Sequence, residues 1–548
     1  MVDDRESLPT LSTADQIHEE RADRGSGHHR PLFAGPYRWA PLERVRSGVA
    51  EGFTFVAEER RGLARFLAAS VTPGGCLAAA IALYVLVFGQ LTWAQQSNFG
   101  TFGYDMGIYD QSIWLLSRFR TPFSTVRGLH YFGFHVNVVA FLLVPFYWFG
   151  AGPHFLFLGE TFALALGAVP IWLLARDRLG DRWLALGPAA AYLLFPSVEW
   201  INFWHFHPEA LAITPLLFAW WLASRERWGW FAAACAMAMI CKEDAALAVA
   251  AMGVGIILRY SRRAGSCAFA AGLGWFAIAT RVIIPHYDGG QPAFYSDFFP
   301  TLGNSLPQVL HTILRHPTRL YRPMAQQDRH RYYIQMLAPV AFLPLIGGWA
   351  ALIVCIPQLI VNTAGSIGYA HDIRFHYSAI VVVGVMLATV ESIASRSRSL
   401  GTRTAMVVVL VAAALAANVA WSPSPISVHF HDGEWARPSA EASAEEAAVR
   451  HVTDGGGVSA SYTMVPHLTH RVDIYEWPNP FQTGNWGIGD RNPAPRSNVE
   501  WLVLDTNLNT DMAPLLASLT APGGQFEVVF RLGPVIVAHR AAVLQPGS

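Results

Sequence analysis

The stretch WGWFAAACAMAMICKEDAALAVAAMGVGIIL, residues 228–258, decides how this chain is arranged. Its apolar content is that of a membrane span, yet one helix of about 31 residues would be roughly 45 Å long, well beyond a hydrocarbon core of about 30 Å. The flanking arginines settle the matter. SRERW (224–228) and RYSRR (259–263) both carry the positive charge that short cytoplasmic loops favour, so the chain must cross and return. Two short helices result, turned at CKED (241–244).

Outward from this hairpin the whole chain reads as a polytopic α-helical membrane protein. Of its 548 residues, 53% are hydrophobic and only 14% charged, against about 25% charged in ordinary soluble proteins. The formal charge is zero, which argues for no nucleic-acid partner. Arginine and alanine dominate, as in a high-GC bacterial genome, and Lys242 is the single lysine. The five cysteines (Cys76, Cys235, Cys241, Cys267, Cys355) fall in or beside apolar runs without CxxC pairing, and read as small core residues.

Further apolar runs lie at 75–94, 155–175, 183–198, 209–224, 266–285, 333–346, 348–363, 377–394 and 403–421, giving about eleven spans with the hairpin. ARDRLGDR (175–182) and SRSRSLGTR (395–403) join the other arginine clusters on the cytoplasmic side. Counting HVNVVAFLLVPFYWFG (135–150) as a span would move ARDRLGDR outside, so that run is expected to be interfacial or re-entrant. The domain plan is a disordered cytoplasmic tail over 1–50, with no apolar signal-peptide core, and a transmembrane region over 51–421 with juxtamembrane helices in the loop 95–154. A small extracytoplasmic α/β domain follows over 422–548. In that domain EEAAVRHV (445–452) reads as helix, GVSASY (457–462) and WLVLDT (501–506) as strands, and QFEVVFRLGPVIVAHR (525–540) as a hairpin turning at Leu532-Gly533.

With this topology, acidic and histidine-rich stretches converge on one outer face: the loop from Asn98 to His135, SVEWINFWHFHPE (197–209), CKED and HDIRFHY (371–377). The long loop from Pro285 to about Tyr332, carrying Arg315, Arg319 and Arg322, lies on the same side. Asp105 precedes Met106, Tyr109, Ile113 and Leu116, which recur at helical spacing and lay a short helix on the membrane surface. It either caps that helix or, in a partly dry cleft, takes a proton from an incoming hydroxyl. Asp110, about 140° around the helix from Asp105, is the second candidate catalytic carboxylate; it braces the loop or meets substrate or metal from another angle.

His205, His207 and Glu209 stand in WHFHPE. In an extended HFH the two imidazoles point the same way, which suits either a divalent metal or a substrate; no residue is assigned to a metal. In CKED, a charged triplet at the tip of two apolar helices is costly unless it faces a cavity or water. Lys242 there offers a compact ammonium to a phosphate oxygen, positioned by Glu243 or Asp244; the alternative is a solvated turn with an internal ion pair. Arg374, with His371 and His376, supplies a second phosphate contact or marks a water-facing helix end. His135 completes the candidate substrate-binding set.

The order YDMGIYDQSIW (104–114), GFHVNVVAFLLVPFY (133–147), HFHPEALAITPLLFAWWL (205–222) and ICKEDAALAV (240–249) resembles the bacterial integral membrane family catalogued as domain of unknown function 2079, and VSASYTMVPHLTHRVDIYEWP (458–478) is similar too. The family's arrangement resembles the GT-C class of membrane glycosyltransferases. The resemblance implies an inverting transferase of the bacterial inner membrane. It would take a polyprenyl-phosphate sugar donor and a cell-envelope glycan, lipid or protein acceptor, with Asp105 as general base and Lys242 beside the lipid phosphate. The chain lacks the adjacent Asp-Glu or Asp-x-Asp pair common in that class, so a divalent metal stays an open reading. A transporter or flippase lined by the same charges is the alternative, and a scaffold presenting the C-terminal domain a third.

Overall fold

The computed structural model describes residues 71–290, 298–299, 302–303, 306–430, 435–453, 455–490 and 494–541. The tail expected over 1–50 lies outside them, as does part of the long loop after Pro285. Five helices among the described residues are long and apolar enough to cross a membrane: Pro73–Ser97, Pro153–Leu179, Arg262–Tyr287, His376–Arg396 and Leu400–Trp421. Three of them begin at a hydroxyl cap, where Thr72, Ser261 and Ser399 accept from the backbone N–H of Gly75, Ala264 and Thr402. Their outward faces stay oily, with Leu83 and Leu86 at 62% and 69% exposure, as lipid contact requires. The His376–Arg396 helix runs through the middle of the bundle, buried along most of its length.

The hairpin read from the opening stretch is present as Trp228–Met239 and Glu243–Arg259, broken at Ile240–Lys242. The 135–150 run contains only an eight-residue helix, Ala140–Tyr147, with Pro145 inside it, too short to cross. The eleven expected spans are not reproduced helix for helix. The run 333–346 leaves its helix at Leu337 and continues in two short 3₁₀ turns around Pro339 and Pro344, with Ala341 and Phe342 in the left-handed region. Proline removes backbone donors there, and a hydropathy window cannot register it.

The C-terminal part is an α/β unit built on a five-stranded mixed sheet. Its strands are β1 (Gly457–Ala460), β2 (Ile474–Glu476), β3 (Val499–Asp505), β4 (Phe526–Leu532) and β5 (Val535–Arg540). The order is β2-β1-β3-β5-β4, parallel across the first three and antiparallel thereafter. The helix Ala440–Val449 precedes it, and β4–β5 form the hairpin expected around Gly533. Bundle and sheet belong to one compact unit. The first loop is stitched to the sheet: Thr125 exchanges hydrogen bonds of 2.6 and 2.9 Å with the Ile474 backbone, Gln111 donates to the Val472 carbonyl at 3.0 Å, and Trp486 donates to the Thr125 carbonyl at 2.9 Å.

Candidate functional site

Asp105 lies within a single π-helical turn, Gly103–Gly107, which leads into the helix Ile108–Ser117. Extra-wide turns of this kind reorient side chains and recur at functional sites. Its carboxylate caps nothing: the helix starts at Gly107 without a side-chain bond. The flanking glycines are explained by the sheet domain. A Cβ at Gly103 would stand 2.8 Å from both Val465 Cβ and Glu476 Oε2, and one at Gly107 would stand 3.0 Å from Val465 Cγ1. The C-terminal domain therefore seats against the turn itself, and the Gly103 N–H donates to the Tyr462 carbonyl at 2.8 Å.

The turn presents Asp105 to two histidines. His205 Nδ1 and His207 Nε2 stand 3.9 and 3.6 Å from its oxygens, while 30% of the aspartate side chain stays exposed. The HFH backbone is not extended as expected: His205 sits in the left-handed region at φ 57°, a conformation histidine tolerates better than most residues. Both imidazoles reach the carboxylate nonetheless. Burial alone would push the Asp105 carboxyl up, but the two imidazoles outweigh it and hold it well below the usual carboxylate range. Burial likewise opposes charge on His207, and Asp105 and Glu209 overcome it to raise that histidine. The arrangement favours the ionised carboxylate on Asp105 and proton retention on His207.

Behind this pair the contacts continue inward. His207 stacks on His376 with ring centroids 3.7 Å apart, and His376 Nε2 approaches Glu209 Oε1 at 3.3 Å. The same Glu209 oxygen accepts from Lys242 Nζ at 2.7 Å, and Asp244 lies 3.7 Å from that ammonium. Asp105, His205, His207, His376, Glu209, Lys242 and Asp244 thus form one connected cluster. Lys242 is only 4% exposed. Its ammonium is paired within the protein, the internal ion pair that was the alternative reading of CKED, because a buried ammonium demands a carboxylate partner.

Other candidates fall elsewhere. Glu243 and His135 form a brace in which Glu243 Oε1 meets His135 Nδ1 at 2.7 Å and Oε2 accepts from the Val136 N–H at 2.9 Å, fixing the first loop onto the hairpin turn. Asp110, expected as a second catalytic carboxylate, is fully buried and turned toward the sheet domain. It accepts from the Tyr147 hydroxyl at 2.6 Å and from the Thr469 hydroxyl, and meets His470 Nε2 at 3.2 Å. These contacts are those of a brace, the first of the two readings its sequence position allowed. Arg374 clamps Asp372, its closest bond 2.7 Å, on a neighbouring cavity rather than in the cluster.

Three residues went unread in the sequence. Glu160, fully buried on the Pro153–Leu179 helix, accepts from the His207 N–H at 3.3 Å. Glu476, at the end of β2, lies against Gly103; burial first, and the Asp105 charge second, raise its carboxyl to about 7. Arg127 lies 5.3 Å over the ring of Tyr104, beside Asp105, anchored by the Gly487 carbonyl at 2.8 Å. Isolated charges in a loop or an apolar run carry no spacing signal. Among the described residues, no group of three or more His, Cys, Asp or Glu side chains is arranged to hold a metal ion.

The fold is similar to that of a solved structure, ArnT from Cupriavidus metallidurans in the apo state. The match has a TM-score of 0.53 and 14% identity, over 87% of this chain and 99% of that one. That likeness speaks to the fold, and it agrees with the GT-C resemblance read from the motifs. No curated protein matches. The family model described as predicted membrane protein (DUF2079) matches residues 96–523, from the end of the first span to just before β4 of the sheet domain, and the chain belongs to that family.

Proposed function

We propose that this protein is a GT-C type glycosyltransferase that moves a sugar from a polyprenyl-phosphate donor to an extracytoplasmic acceptor. The observation carrying this reading is the Asp105 turn: a partly exposed carboxylate, held ionised by two buried histidines, where membrane helices meet a folded domain. A lipid-linked donor needs such a boundary, since its tail stays in the bilayer while its sugar must meet a polar acceptor.

In this reading Asp105 accepts the hydrogen bond of the acceptor hydroxyl and takes its proton as the oxygen attacks the anomeric carbon. The new glycosidic C–O bond forms with inversion as the sugar–phosphate C–O bond breaks, and the polyprenyl phosphate departs carrying the electron pair. The reacting carbon is oxocarbenium-like, so a carboxylate of low basicity suffices. Arg127, rather than Lys242, supplies positive charge toward the departing phosphate. Lys242, Glu209 and His376 keep His207 in place behind Asp105.

The test is sugar transfer from polyprenyl-phosphate donors by purified wild type and Asp105→Asn. Transfer that survives undiminished in Asp105→Asn removes the general-base role.

A further inference from the structure

A second cavity of about 390 Å³ opens beside the cluster, between Trp200, Gln335 and the 368–374 segment, with Trp421 on a further wall. Its size falls in the range of small-molecule sites, about 300–1,000 Å³. Two of its polar lining side chains are more than nine-tenths buried. Gln335 is 7% exposed, and His371, 8% exposed, leaves Nδ1 unsatisfied while Nε2 meets Asp328 at 3.0 Å. Buried polar groups are normally satisfied, so the unmet His371 Nδ1 on this cavity wall, with the Gln335 amide beside it, points to something that satisfies them.

The lining selects among ligand classes. An alkyl chain would leave Gln335 and His371 stranded. A bare phosphate would suit Arg331 and Arg374 but would lie against the carboxylates of Asp328 and Asp372. A pyranose ring meets every demand: its C–H face lies on an indole, its hydroxyls pair with amide and imidazole, and its vicinal diols bridge the carboxylate and guanidinium groups at the rim. We propose that this cavity binds a pyranose ring of one of the two substrates, donor sugar or acceptor glycan. Their assignment as substrates rests on the transferase reading. The cavity is coupled to the cluster by a short path: Arg374 precedes His376 by two residues, and Phe375 packs edge-on against Trp204 at 4.4 Å, which stacks on His205.

The experiment uses the full chain in lipid nanodiscs and saturation-transfer NMR with the methyl pyranosides of glucose, galactose, mannose, N-acetylglucosamine and glucuronic acid. Wild type and Asp105→Asn should both bind at least one of them saturably. Gln335→Met and His371→Ala, changes on two different elements, should each weaken that binding about tenfold, the cost of one lost hydrogen bond to a buried group. A short-chain polyprenyl-phosphate hexose that displaces the glycoside assigns the cavity to the donor sugar, and co-binding assigns it to the acceptor. Absence of saturable binding to the whole panel, or binding that both cavity variants leave unchanged, overturns the proposal. Intact glycoside binding in a protein with no transferase activity upholds the cavity while sinking the reaction assigned above.

Discussion

The helices Glu243–Arg259 and His376–Arg396 carry an ionic cluster at each end, and the two clusters are built to opposite rules. At the far end, Glu391 is 4% exposed and surrounded by donors: Arg178 at 2.9 Å, Trp220 at 3.1 Å, and Arg259 and Tyr260 at 3.3 Å. About 25 Å away, by the rise of 17 helical residues, lies the Asp105 end. There, among the described residues, Glu160 Oε1, Glu209 Oε2 and His376 Nδ1 are buried without hydrogen-bond partners. A carboxylate with four donors locks helices together. A set of unmet polar atoms leaves hydrogen-bonding capacity for a molecule from outside, which is why the proposed site is placed at the second end and not the first.

Mutations at the two ends should therefore separate activity from stability. The largest effect belongs to Asp105→Asn, with transfer reduced by about 10²- to 10⁴-fold, the range for removing a general base, and an unfolding midpoint close to wild type. Glu391→Ala should do the reverse. Stranding Arg178 and Arg259 costs about 3 kcal/mol, near the low end for a buried pair because Arg259 keeps 48% exposure, and transfer per folded molecule stays at the wild-type level in calibrated assays. Equal losses of activity and stability from both substitutions would erase the contrast.

Smaller effects sharpen it. Glu209→Gln removes the charge joining Lys242 to His376, and transfer by the folded fraction should fall about tenfold as His207 loses its backing, short of the hundredfold cost of an ångström-scale misplacement. An unchanged rate would show that the inner contacts do not position His207. The mildest effect is a pH dependence in the sheet domain. Burial, helped by Asp505 and Glu441 against a Thr463 hydrogen bond, raises Glu445 from 4.5 to about 7. The native state then binds more protons than the unfolded chain, so stability is full below pH 4.5 and declines as pH rises through about 7. Thermal midpoints in detergent should fall across that window in wild type and less in Glu445→Gln; identical slopes would refute the assignment.

Much of this site was legible because charge is scarce in an oily chain. Asp105, His205, His207, Glu209 and Lys242 stood out against apolar surroundings, and the arginines around the hairpin forced the turn that carries Lys242. What the ammonium does with its charge was not legible, since its partner Glu209 is 33 residues away and only packing joins them. The linear reading left Asp110 between bracing the loop and meeting substrate; packing separates it from Asp105, because one faces His205 and His207 and the other faces Tyr147, Thr469 and His470. Four of the five sheet strands were readable, but the three-residue β2 was too short to signal itself, and the fractured segment around Pro339 and Pro344 was hidden by its own hydrophobicity.

The seating of Val465 between Gly103 and Gly107 means that the reactive turn is finished by a part of the chain synthesised more than 350 residues later. A fragment ending at Trp421 would keep the Asp105, His207, Glu209 and Lys242 side chains and lose the mould that shapes the turn. Chimeras exchanging tails between relatives would inherit mismatched halves unless the glycine pair and the valine travelled together. On the proposed reading, the membrane portion keeps an unfinished turn until the segment carrying Val465 has been made and folded against it.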